Sequence, residues 1–193
     1  MGQRYIRKML GRMSGGEPVE ATSAMGTIRA LSRLAFYAQQ FGYEYTEVRQ
    51  RERKYLLRVV PDPSPQARAR AAENWARYPD AALGGALPPL DPGAVALFKA
   101  RIGYDLATRF TEKQMAAITA VGFTLLALGP ALRFGPVIGG GVWAVLMALV
   151  PVLYVVNRRY RAKHAALLEA AGFLPVTEPD GRLRYVPPAP PLG

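Results

Sequence analysis

The sequence predicts a membrane protein: an α-helical transmembrane hairpin of two spans, with a small cytoplasmic α+β domain built from both flanks. Three observations carry this. From Gln114 to Val156 the single Asp, Glu, Lys, Arg or His is Arg133. Two Gly-Pro pairs, Gly129-Pro130 and Gly135-Pro136, bracket that arginine. Basic residues crowd the two outer ends of the apolar run.

A helix needs about 20 mostly apolar residues to cross a hydrocarbon core of about 30 Å. Met115–Leu132 supplies 18 uncharged residues and Phe134–Val156 supplies 23. Neither half has the polar face of a surface helix. The alternative is a pair of buried helices in a soluble domain, but a 193-residue chain has little material left to cover them. Proline lacks the amide that continues a helix, and it biases the preceding residue away from helical geometry. Gly129, Pro130, Arg133, Gly135 and Pro136 therefore read as the turn between spans of about 115–132 and 135–156.

Small residues recur every four positions in both spans: Ala116, Ala120 and Thr124, then Gly140, Ala144 and Ala148. That spacing places them on one face of each helix, where backbones approach closely in lipid. The two faces are expected to pack on each other, or to recruit a second copy or another membrane subunit. Pro151 is expected to kink the second span.

The flanks set the orientation. Arg158, Arg159, Arg161 and Lys163 follow the second span, and Lys99, Arg101, Arg109 and Lys113 precede the first, against Arg133 alone at the turn. Positive residues stay on the cytoplasmic side, so both termini are predicted to be cytoplasmic in a multi-pass protein of the cell membrane. Tyr154 and Tyr160 sit where an interfacial aromatic belt is expected.

Residues 1–18 read as a basic amphipathic segment and linker. Ile6, Met9, Leu10 and Met13 recur at helical spacing, with Arg4, Arg7, Lys8 and Arg12 on the remaining surface. Such a helix lies on an anionic membrane, or is a frayed or partner-bound leader. These four, with Arg158, Arg159, Arg161 and Lys163, are the candidate lipid-headgroup contacts.

Residues 19–80 read as helix, strand, strand, helix. A helix from Ser23 has an apolar face of Ile28, Leu31, Leu34, Ala35, Ala38 and Phe41, with Gly42 as its cap. Period-two patterning in "YEYTEVRQRERKYLLRVV" predicts two strands around "RQRER"; the competing reading is one long helix through Val60. Ser64 and Pro65 open the next helix and Pro79 closes it. A Gly/Pro linker spans 81–93, and a juxtamembrane helix spans 94–113.

Beyond the hairpin (114–156), residues 157–186 read as a helix capped by Gly172 and a β-hairpin turning at Pro179-Asp180-Gly181. Its strands are expected to join the first pair in one sheet, because two strands alone are marginal in water. Residues 187–193 form a Pro-rich tail.

The chemistry-bearing residues are few. The chain has no cysteine and one histidine, His164, in a basic stretch beside the membrane and read as a surface residue. Neither a metal site nor a cofactor is expected. Glu44, Glu47 and Glu52 lie among arginines and read as solvated ion pairs. The net charge of +11 calls for an anionic partner, read as lipid headgroups rather than nucleic acid. The expectation is a non-catalytic accessory, anchoring or assembly subunit of a larger membrane complex, bound to other subunits or to itself. The alternative is an effector whose hairpins oligomerise into a pore on a cytoplasmic signal.

Overall fold

In a computed structural model the described residues are 3–22, 27–51, 54–179 and 181–188. The chain folds into an α+β body and a projecting pair of apolar helices. Helix α1 spans Gln3–Met13, strand β1 Val19–Thr22, helix α2 Ile28–Gln40, strand β2 Tyr43–Arg51 and strand β3 Lys54–Pro61. Helices α3 (Pro65–Arg77) and α4 (Pro92–Ala107) complete the N-terminal part of the body. The hairpin helices are α5 (Glu112–Phe134) and α6 (Pro136–Ala170), and strands β4 (Leu174–Thr177) and β5 (Leu183–Val186) follow.

The strands β1, β3 and β2 form an antiparallel sheet in that order. Alternation puts Val19, Ala21, Tyr43, Tyr45, Leu57 and Val59 on its inner face, where they are buried against α1, α2 and α4. A register shift between Tyr45 and Glu47 lets Val48 point inward as well. The two-strand reading of 43–60 is thus correct, and the continued helix is not. The β1 strand was not anticipated; four residues are too few for a period-two signal to stand out. The helix proposed from Ser23 begins at Ile28, capped by the Thr27 hydroxyl, and residues 23–26 lie outside the described residues. Of the turn "RQRER", Glu52 and Arg53 also lie outside.

Helix α1 departs from the lipid-surface reading. Ile6, Met9, Leu10 and Met13 are buried in the main core, so its apolar face is taken by protein. The same periodicity serves either a bilayer or a core, and here β1 and α2 provide the core. Gly42 adopts φ 85° as expected of a helix end, with Ala71 of α3 packed against it. Helix α3 also donates to the last carbonyls of α2: Arg70 Nε to Gln39 O at 3.0 Å and Asn74 Nδ2 to Gln40 O at 2.8 Å.

The C-terminal strands do not extend the main sheet. They form a separate pair, β4 with β5, lying against α4. A second small core of Ala100, Tyr104, Leu168 and Tyr185 supplies the support that two strands need. The body is therefore built from both flanks, but by helix packing rather than by one shared sheet. Asp180 and residues 189–193 lie outside the described residues.

Helices α5 and α6 are long and apolar enough to cross a membrane. The turn is tighter than predicted. Helix α5 runs through Pro130 to Phe134, and the corner is Gly135 alone, at φ 97°, with Pro136 opening α6. Proline costs a helix one hydrogen bond and does not by itself end it; a left-handed glycine does. Pro151 likewise sits inside an uninterrupted α6. That helix continues through Arg158–Lys163 to Ala170, about 52 Å at 1.5 Å per residue, so the helix expected after the span is the same helix.

Candidate functional site

The body's charged residues gather where α4, β2 and the C-terminal hairpin meet. Arg101 and Asp105 are four residues apart on α4, and so on one helix face; their exposures are 4% and 3%. From β2 comes Tyr45, whose hydroxyl donates to Asp105 Oδ2 at 2.5 Å. From β5 comes Arg184, with Nε 3.9 Å from the same oxygen, and from the position just before that strand comes Arg182, which donates to the Asp105 backbone carbonyl. Arg101 lies 4.9 Å above the Tyr45 ring and 3.7 Å from Glu44 Oε1. Tyr185 closes the arrangement, packing edge-on to Tyr104 at 4.9 Å and donating to Glu169 Oε1 at 2.5 Å.

Burial dominates the electrostatics of this network. It pushes the Asp105 carboxyl above its ordinary range, against the lowering pull of the Tyr45 hydrogen bond and of Arg184, Arg101 and Arg182. Burial also raises the Tyr45 phenol, which the adjacent carboxylate raises further. The guanidinium of Arg101 is lowered by the same desolvation. The Tyr45 hydroxyl is committed to Asp105. The network locks the C-terminal hairpin to the sheet and to α4.

Next to it, a cleft of about 740 Å³ opens between the end of α4, the start of α5, the middle of α6 and β5. Four arginines line it, Arg109, Arg158, Arg161 and Arg182, with one carboxylate, Glu112. Glu112 accepts from Tyr154 at 2.9 Å and from Arg161 at 3.5 Å, tying α5 to α6 where their apolar stretch begins. Tyr104, Phe110 and Tyr185 give the cleft aromatic walls.

Comparison with protein-family models, with curated proteins and with solved structures found no match for this chain.

The predicted lipid contacts divide into three groups. On α1, Arg4, Lys8 and Arg12 are exposed, while Arg7 donates to Gly84 O at 3.2 Å. Helix α1 packs on β1 and α2, with Met13 beside Tyr43 at the end of β2 remote from Arg109. On α6, Arg158 and Arg161 line the cleft, and the exposed Arg159 and Lys163 do not. The structure thus joins two of the eight to Arg109 and Arg182, neither of which was a predicted site residue. Arg182 arrives from the position just before β5, so only tertiary structure brings it there.

Within the hairpin, the expected small residues contribute to the seam only in part. The seam between α5 and α6 is made by Ala127, Ala131 and Gly139; a Cβ on Gly139 would lie 2.6 Å from Ala131 Cα. Ala120 is half-buried, and Thr124 accepts from Trp143 Nε1 at 3.1 Å. Ala116, Gly140, Ala144 and Ala148 are exposed on the outer surface. The one-residue corner at Gly135 sets the rotation of α6 and turns Gly139, not Gly140, inward. At the corner itself Arg133 is exposed.

His164 is not a plain surface residue. Its ring stacks on Tyr160 at 4.0 Å and lies next to Gly103 in the α4–α6 seam. Among the described residues no three His, Asp or Glu side chains gather to hold a metal.

Proposed function

We propose that the α5–α6 hairpin spans the cytoplasmic membrane with both termini inside, and that the body is a docking platform for a partner in a larger membrane complex. In this reading the chain is an accessory or assembly subunit without a reaction of its own. The observation that carries it is the outer surface of the hairpin. Val121, Leu125, Leu126, Leu132, Val137 and Val145 are all at least 61% exposed. Continuous apolar exposure around two helices is far larger than the patches soluble proteins tolerate, and a bilayer covers it. Below it the body has its own closed core, and α6 runs unbroken from one to the other, so the platform is held at a fixed angle to the hairpin.

The positive flanks support the orientation: Arg158, Arg159 and Lys163 are exposed at the body end, against Arg133 at the corner. Arg101 is buried and drops out of that count.

The chain has no cysteine, so topology is directly testable. Cysteines replacing Arg133 and Lys163 should react with a membrane-impermeant maleimide from opposite sides of intact cells, the first from outside. Labelling of both from one side sinks the hairpin reading. For the platform, purification in mild detergent should yield a fixed stoichiometric complex with other membrane proteins; a lone monomer overturns it.

A second reading draws on Gly140, Ala144 and Ala148, which face outward and permit close approach of another helix. Hairpins associating there into a pore would give a large homo-oligomer and ion leakage in liposomes.

A further inference from the structure

We propose that the cleft between α4, α5, α6 and β5 binds the phosphate of an anionic phospholipid headgroup, an assignment that rests on membrane insertion of the hairpin. Arg109, Arg158 and Arg161 come from two separate segments and converge on one space with a single carboxylate, Glu112, in its lining; Arg182, tied to the Asp105 carbonyl, forms part of the same wall. Like charges gathered this way repel unless an anion joins them, and guanidinium groups match the paired oxygens of a phosphate. Glu112 does not fill that role, because it is already shared between Tyr154 and Arg161.

Two hydroxyls of the cleft are committed within the protein. The Thr108 hydroxyl donates to Tyr104 O, and that of Thr111 caps α5 by accepting from Gln114 N. What the cleft chiefly offers a ligand is guanidinium charge beside an apolar and aromatic wall.

Position selects the source of the phosphate. The cleft lies at residues 108–114 and 158–165, where the exposed apolar surface of α5 and α6 begins. A phosphate held there leaves acyl chains free to run along the hairpin, past the exposed ring of Phe110. A cleft of about 740 Å³ also takes a whole glycerophosphate headgroup rather than a bare ion.

Two pairs of basic residues, one lining the cleft and one outside it, provide the test. R109Q/R158Q and R159Q/K163Q each remove two exposed positive charges from the same membrane-facing region, but only the first pair lines the cleft. The full chain is purified in a neutral detergent and given equimolar phosphatidylglycerol and phosphatidylcholine, and retained lipid is read by native mass spectrometry. Wild type and R159Q/K163Q should retain phosphatidylglycerol preferentially, and R109Q/R158Q should lose that preference by roughly tenfold. R109K/R158K should recover part of it, which a folding defect at these positions would not allow.

Equal losses in the two glutamine pairs, or no preference in wild type, overturn the site in favour of diffuse surface charge. Displacement of phosphatidylglycerol by millimolar glycerol 3-phosphate overturns the lipid assignment in favour of a soluble phosphate ester. Alkaline extraction of membranes keeps the two readings apart. A chain that stays in the membrane without headgroup preference refutes the cleft alone, and a chain released to the soluble fraction refutes the anchor and the cleft together.

Discussion

Replacing Tyr45 by phenylalanine tests whether the buried network holds the body together. The ring is 1% exposed, and its stacking under Arg101, 4.9 Å away, survives the change. What is lost is the hydroxyl that donates to Asp105 Oδ2 at 2.5 Å. A hydrogen bond to a charged partner contributes about 1.5–3 kcal/mol, because its removal leaves a buried carboxylate oxygen short of a donor. Arg184 stands 3.9 Å from that oxygen, too far to replace the bond without movement. The expected cost is therefore about 2 kcal/mol near neutral pH, or about 4–8 °C in midpoint for a chain of this size.

Urea unfolding in mild detergent, followed by Trp75 fluorescence, measures this. Trp75 packs on Phe41 at 4.5 Å and reports on the body, and Trp143→Phe removes the second indole from the signal. In an Asp105→Asn background the hydroxyl faces a neutral amide, and the same substitution should cost only about 1 kcal/mol or less. A cost for Tyr45→Phe that is negligible, or the same in both backgrounds, would refute the view that this hydroxyl supports a buried carboxylate.

The pH dependence has a definite sign. Burial raises Asp105 in the folded state, so its contribution to stability is fully present below the ordinary carboxyl range and is lost as pH rises through the raised value. Urea titrations from about pH 7 to about pH 4 should show wild type gaining on Asp105→Asn as pH falls; a gain in the opposite direction refutes the assignment. Leu10 is fully buried in the main core, so Leu10→Ala should cost about 2–5 kcal/mol, whereas the exposed Lys8→Gln should stay within about 0.5 kcal/mol. A helix lying on lipid would give nearly equal, small values in the same unfolding assay. Gly139→Ala forces a methyl onto Ala131 and should destabilise the hairpin by about 1–3 kcal/mol, while Gly140→Ala, with open space around it, should be neutral. Thermal unfolding of the two variants in detergent separates adjacent glycines that are indistinguishable in the sequence.

The sequence by itself determined the features that depend on local order. An uncharged run long enough for two helices is a property of composition, and tertiary context does not alter it. A glycine at positive φ ends a helix through its own backbone, so the ends at Gly42 and Gly172 and the start at Ser64-Pro65 were readable, whereas the corner at Gly135 was not separable from Gly129-Pro130. The alternation in β2 and β3 was readable too. Tertiary structure decided everything that depends on what an apolar or charged face meets. The apolar face of α1 suits a bilayer or a core equally, and it became core because β1 and α2 are there to receive it. The inward side of α6 depends on the rotation left by a one-residue corner. Asp105 accepts from Tyr45, which lies 60 residues away, and Arg182, just ahead of β5, lines one cleft with the α6 arginines. Periodicity is local and places a residue on a face; burial and electrostatic partnership are set by distant segments, and those were assembled only when the chain folded.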